Sequence, residues 1–146
     1  MRCVVQRVSS AAVHADGLEV GAIDQGLLVF VGFGQEDDEP ILEPMLNKLF
    51  KLRIFADKEG KMKHNVMDIS GEMLFVSQFT LYASLKKGYR PSFTAACPPE
   101  KAQALYDTLL AKAQVMYPDK VQSGIFGADM KVSLVNDGPV TLSLEL

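Results

Sequence analysis

Three short segments of this sequence combine side chains that do chemistry with neighbours able to hold them still. The first is Ser77-Gln78-Phe79-Thr80-Leu81. Strand-type apolar residues run up to it and end in polar ones, and polar groups at the end of a rigid strand are well placed to form a site. Gln78 offers donors and an acceptor, and Ser77 and Thr80 offer hydroxyls. The backbone amides of Phe79 and Thr80 could converge on a developing oxyanion. The bland alternative is a sheet edge of ordinary β-formers.

The second segment is Val135-Asn136-Asp137-Gly138-Pro139-Val140-Thr141. Asn-Asp-Gly between two strand patterns is a hairpin signal. Pro139 complicates that reading, because it brings no N–H to a strand entrance. The third is Gly88-Tyr89-Arg90-Pro91-Ser92-Phe93, next to Lys86-Lys87. Cations, aromatics and a stiff proline could cradle a nucleotide or phosphate, and a solvated loop accounts for them equally well.

Several familiar signatures are missing. The chain has no GxSxG elbow, phosphate-binding Walker A loop, GxGxxG or HExxH. Its two histidines, His14 and His64, fall in a strand-like run and a basic loop, which argues against a Ser-His-Asp triad. Hydrolysis here would rest on backbone oxyanion stabilisation, or on a substrate group moving the proton. Cys3 and Cys97 show no CxxC or Cys/His spacing and are expected to be buried small residues or free thiols. No metal site or cofactor is expected.

Charge is unevenly spread. Residues 16–43 hold eight acids and no Lys or Arg, whereas residues 44–90 hold nine bases against four acids. The net charge is only −3, yet the basic middle could meet phosphate. A solvated face without a partner is the simpler alternative. With 146 residues, 48% hydrophobic and 23% charged, the chain fits one globular domain spanning 1–146. No apolar run approaches the ~20 residues of a membrane span. Arg7 interrupts any signal-peptide core, so a cytoplasmic protein is expected.

The elements that must position these segments are mostly strands. Met1–Val8, Ala11–His14, Leu18–Ile23 after an Asp16-Gly17 turn, and the apolar run Gly26–Phe33 come first. Glu39–Phe50 changes to helical spacing, with Pro40 in its first turn and Pro44 marking a kink or a later start. Lys51–Phe55 and Glu72–Thr80 are expected strands, and Ser84–Phe93 a polar loop. Pro98-Pro99 opens a second helix whose stripe runs from Ala102 to Tyr117 and which Pro118 stops. Val121–Phe126, Met130–Val135 and Val140–Leu144 are expected to follow as hairpin-connected strands. About two helices among some eight strands predict an α+β fold on a largely antiparallel sheet.

Five segments in this order resemble the D-aminoacyl-tRNA deacylase family in its common bacterial and eukaryotic form, over essentially the whole chain. They are Val5-Gln6-Arg7-Val8, Ser77 to Leu81, Gly88 to Phe93, Ser123-Gly124-Ile125-Phe126-Gly127-Ala128-Asp129-Met130, and Asn136 to Thr141. Each is weak alone and all five together are specific. The sequence departs from the usual pattern at Lys61-Met62-Lys63-His64-Asn65.

The resemblance implies a homodimeric, β-barrel-like α+β fold and a metal-independent esterase. Such an enzyme cleaves a D-amino acid, or mischarged glycine, from the terminal adenosine of tRNA. It implies catalytic roles for Ser77, Gln78, Phe79 and Thr80. Gly138-Pro139 would be a Gly–cis-Pro pair entering the partner subunit's pocket, so that the active site lies at the subunit interface. Its carbonyls would hold the α-amino group and exclude an L side chain. Arg7 would hold that motif, and Phe126 and Met130 would line an adenosine pocket. Thr80 matches a position proposed as nucleophile, but a Thr hydroxyl without a base is a poor one. Assistance by the ribose 2′-OH, with the Phe79 and Thr80 amides on the oxyanion, is the preferred reading. Lys86, Lys87 and Arg90 are the candidate tRNA contacts. The competing readings are a non-catalytic tRNA- or nucleotide-binding dimeric module and a purely structural dimeric barrel. Neither needs a chirality filter.

Overall fold

A computed structural model describes the chain from Met1 to Leu146. Its organising element is the first strand, β1 (Arg2–Ala15). The two expected short strands are one, because Ser9 and Ser10 stay in the extended backbone. Cys3 and Val5 belong to the larger core, whereas Val8, Ala11 and Val13 belong to a second, smaller one. The strand changes cores where its pairing register shifts, around Val8. A shift of that kind turns a strand's inward set to the other face.

The Asp16-Gly17 turn leads into β2 (Leu18–Ile23), antiparallel to the far half of β1. β3 (Gly26–Gly32) pairs with the near half and is buried except at Phe30. β6 (Glu72–Ser77) and β7 (Val121–Ser123) extend the sheet in parallel. The sheet is therefore largely antiparallel, with a parallel flank. β2 returns against β7 so closely that a Cβ on Gly21 would lie 2.8 Å from the Ser123 carbonyl oxygen. The sheet is nearly a closed barrel. A small hairpin, β4 (Phe55–Ala56) with β5 (Met62–His64), stands apart.

Leu27, Val29 and Val31 point to the helices, and Leu28 points the other way, the two-residue period of a strand. Helix α1 (Leu42–Lys51) buries Leu42, Met45, Leu46, Leu49 and Phe50. Pro40 sits in a preceding 3-10 turn, and Pro44 falls in the first turn of α1, where N–H groups lack helical partners, so no kink is needed. Helix α2 (Pro99–Met116) buries Ala102, Leu105, Tyr106, Leu109 and Ala113 against the same core. No helix is long and apolar enough to cross a membrane. Cys3 and Cys97 are buried free thiols.

Four further expectations are corrected. Lys51 ends α1, and the expected strand Lys51–Phe55 shrinks to β4; the Ile54 carbonyl is taken by Arg7 Nη1 at 2.5 Å. β6 stops at Ser77, and Phe79–Tyr82 forms a 3-10 turn. Its backbone bonds turn local there: Gln78 N–H still donates to Val31 (2.7 Å), but Leu81 N–H donates to Gln78. β7 ends at Ser123, after which Gly124 N–H donates to Phe75.

The fourth correction is the largest. The two expected C-terminal strands are one, β8 (Met130–Glu145), antiparallel to β1 along its whole length. Asn136 faces Val8 and Thr141 faces Gln6, so residues 137–140 bulge out opposite Arg7 alone. The turn chemistry is real but local: Asn136 Oδ1 accepts from Val140 N–H (3.2 Å), and Asn136 Nδ2 donates to Thr141 Oγ1 (3.0 Å). Both flanks then pair with β1 rather than with each other. Pro139 lies in the bulge, where no ladder bond is lost.

Candidate active site

At the end of β6 the chain must leave the sheet. Ser77 and Gln78 mark the exit, and Phe79 and Thr80 open the 3-10 turn, so their N–H groups have no carbonyl partner within it. This exit forms one wall of a cavity of about 590 Å³. The opposite walls come from Phe126, Gly127 and Ala128 after β7, Met130 and Val132 on β8, and the Cys97–Ala102 entrance to α2. Five predicted residues are thus brought together: Ser77, Gln78, Phe79, Phe126 and Met130.

Thr80 is exposed at the edge of this group, and its Oγ1 is hydrogen-bonded to Gln78 Nε2. No His, Lys, Asp or Glu lines the cavity. His14 faces Glu19 and His64 faces Asp68, both elsewhere. Cys97 is the only ionisable side chain in the wall, and burial pushes its thiol up, which keeps it neutral. The cavity therefore offers backbone amides, an amide side chain, hydroxyls and an apolar bed, and no general base.

The support behind the walls is specific. Tyr106 packs its ring 5.9 Å from Phe126 and donates its hydroxyl to the Phe75 carbonyl at 2.9 Å, fixing β6 from below. The 3-10 turn is braced from the other side. Arg2 Nη1 donates to the Leu81 carbonyl at 3.1 Å, and its guanidinium lies 4.4 Å over the Tyr82 ring. Tyr82 donates to Asp37 Oδ2 at 3.3 Å, and the same carboxylate receives Gly34 N–H and the Met1 ammonium at 2.7 Å each. Burial, with the Asp37 carboxylate next, pushes the Tyr82 hydroxyl up to about 12.

Arg7, Gly138 and Pro139 lie away from the cavity. Gly138 is eight residues along β8 from Met130, roughly 26 Å of strand. Both Gly138 and Pro139 are exposed, and their peptide bond is cis. Arg7 stands under the bulge. Its Nε donates to the Asp137 carbonyl at 3.1 Å, 3.6 Å from the Asp137 carboxylate.

Lys86, Lys87 and Arg90 sit on the exposed loop between the 3-10 turn and Phe93, and none makes an ion pair. Reciprocal backbone bonds between Ser84 and Ser92, 2.8 and 3.0 Å, clamp the loop at its base. The atypical Lys61–Asn65 segment lies on β5 and its ends, outside the cavity wall. The Cys97–Ala102 wall and the Arg2–Tyr82–Asp37 brace are absent from the sequence-based site. Pro98-Pro99 signals a helix start, but nothing local says that the start faces Gln78.

The sequence model of the family described as D-Tyr-tRNA(Tyr) deacylase matches residues 4–145. The chain is 52% identical over 145 residues to a D-aminoacyl-tRNA deacylase of Stutzerimonas stutzeri, covering 99% of each chain. It is also 52% identical to one of Dechloromonas aromatica, covering 99% of this chain and 97% of that one. Among solved structures it is similar to one titled c-Myc DNA Unwinding Element Binding Protein, with a TM-score of 0.94 and 42% identity over 100% of this chain and 99% of that chain. A probable eukaryotic D-amino acid tRNA deacylase, 17% identical over 99% and 98% of the two chains, shares the fold with a TM-score of 0.87.

Proposed function

The chain belongs to the D-Tyr-tRNA(Tyr) deacylase family, and from that premise we infer that it is a tRNA-editing hydrolase. It cleaves the ester between a D-amino acid and the end of tRNA, releasing both. The observation that carries the reading is the convergence of Ser77, Gln78 and Phe79 on the same cavity as Phe126 and Met130.

In this reading the terminal adenosine lies on the apolar bed formed by Phe126 and Met130. The ester then meets the exit of β6. Water adds to the ester carbonyl, and the amides of Phe79 and Thr80 receive the negative charge on its oxygen. Gln78 and Ser77 orient the carbonyl. The ribose 2′-OH relays the proton from the attacking water to the departing 3′-oxygen, which suits a wall without a base. The carboxylic acid leaves and the 3′-OH is restored.

Chirality is enforced by a second copy of the chain. Gly138-Pro139 is exposed and too far along β8 to reach its own cavity, which supports its service in the partner's cavity. Its carbonyls take the α-ammonium of the substrate, and the space left excludes an L side chain but admits glycine. Arg7 holds the bulge in place. The active site accordingly belongs to a cytoplasmic homodimer, and Lys86, Lys87 and Arg90 meet the tRNA backbone.

The deciding experiment incubates the protein with D-tyrosyl-tRNA and L-tyrosyl-tRNA and follows ester loss. Loss of the D ester with the L ester spared is expected. Binding of tRNA with both esters intact would favour a non-catalytic nucleic-acid-binding module, a reading in keeping with the name of the 42%-identical c-Myc DNA Unwinding Element Binding Protein.

A further inference from the structure

We propose that Phe79 and Phe93 form a stacking platform for the base preceding the terminal adenosine, a second nucleotide subsite at the lip of the cavity. The proposal rests on the reading that the terminal adenosine occupies the cavity. Both side chains line its mouth. Their ring centroids are 5.0 Å apart at 62°, an edge-to-face pair, and yet the residues stay 55% and 37% exposed. A ring packed only for stability would be covered, as Tyr106 is at 1% exposed. This pair leaves an exposed aromatic face beside the cavity.

The chain between the two rings decides what that face is for. It is the clamped loop from Ser84 to Ser92, carrying Lys86, Lys87 and Arg90 without ion pairs. A single strand entering the cavity by its end, with phosphates toward these cations, must pass over the aromatic pair that flanks them. Exposed rings beside a cationic track are how single strands are held without sequence readout, because every base has a π-face. The ligand is therefore a single-stranded RNA base, bound by stacking and not by its edges.

The test compares three D-tyrosyl esters: of adenosine, of the dinucleotide CpA, and of CpA with an abasic first residue. For the wild type, kcat/KM should be about tenfold higher for CpA than for adenosine, within the range measured for base–aromatic stacking. The abasic ester, which keeps the phosphate but has no base to stack, should lose most of that advantage. Phe93→Ala should remove the CpA advantage, lowering the CpA ester about tenfold and the adenosine ester much less, and Phe93→Tyr, which keeps the ring, should restore it. The adenosine rate reports that the variant is folded. The proposal is overturned by a wild type indifferent to the base, by an abasic ester as good as CpA, or by Phe93→Ala lowering all three esters alike or none. A wild type that cleaves no ester at all overturns the editing reading as well, which separates the two failures.

Discussion

Arg7 and Gly138 are fitted to each other: a Cβ placed on Gly138 would lie 2.8 Å from Arg7 Nη2. Gly138 also has φ +126°, where L side chains are rarely found. The same guanidinium binds the carbonyls of Asp137 and Ile54, so β1 holds the bulge of β8 and the segment before β4 together. Gly138→Ala must displace Arg7 or distort the bulge, at a backbone cost of roughly 1–3 kcal/mol. Strain of that kind is carried only by the folded state, so urea unfolding should show the same loss of roughly 1–3 kcal/mol while the variant still folds. kcat/KM for D-tyrosyl-tRNA should fall about tenfold or more, since about 1.4 kcal/mol at a reacting site is tenfold. A variant with unchanged rate and unchanged rejection of the L ester would show that the bulge does not serve the cavity.

Thr80 has one polar neighbour, Gln78, and no base. A hydroxyl in that setting stays protonated and is a weak nucleophile. Thr80→Ala keeps the backbone amide and should retain most activity. Replacing the terminal 2′-OH by hydrogen should abolish it. If single-turnover rates of Thr80→Ala fall more than about a thousandfold, the loss of several kcal/mol that marks a reacting group, the side chain is the nucleophile after all.

How much of this was legible depends on the range of the interaction. The helices announce themselves through local spacing and through Pro40 and Pro98-Pro99. The site's first wall is legible because polar residues close an apolar run at Ser77-Gln78. The continuity of β8 is not, because Asn136-Asp137-Gly138-Pro139 forms a true local turn while pairing with β1 spans the whole chain. The end of β6 is misplaced for the same reason. Phe79 to Tyr82 are all strand formers, and only the local bonding that starts at Gln78 turns them into a 3-10 turn. The brace joins Arg2, Asp37 and Tyr82, of which the last two are 45 residues apart, and no spacing rule connects them.

Stability should fall at alkaline pH. Burial pushes the Cys3 thiol from its ordinary 9.0 to about 12, and burial with Asp37 pushes the Tyr82 hydroxyl from 10.0 to about 12. Tyr106 is raised too, chiefly by burial. Above pH 9 the unfolded chain sheds these protons while the folded chain keeps them. The folded state then binds more protons, and stability declines as pH rises. The contribution is complete below pH 9 and is lost toward pH 12. Urea unfolding at pH 8 and pH 11 should show the decline, and Tyr106→Phe should flatten it. Phe75 O keeps a partner in that variant, the Gly124 N–H at 2.9 Å. Equal stability at the two pH values would contradict the assignment.

The remaining prediction concerns the face that meets tRNA. Lys86, Lys87 and Arg90 carry charge that no acid on the protein neutralises, on a loop that begins just beyond the 3-10 turn. An editing enzyme that serves many tRNAs is best held by phosphate and ribose, because backbone contacts carry no sequence information. Lys86→Ala/Lys87→Ala should therefore raise the apparent KM for D-tyrosyl-tRNA and leave kcat nearly unchanged, the mark of binding shared equally by substrate and transition state. Two neutralised phosphate contacts should also cost about 1.4–1.8 in the slope of log affinity against log salt, by counterion release. The D-tyrosyl ester of adenosine, which has no phosphate, should be cleaved equally well by both proteins. Steady-state kinetics at two salt concentrations measure all three quantities. An unchanged KM with an unchanged salt slope would place the acceptor stem on another face, where Lys48, Lys51 and Arg53 are the next exposed bases to test.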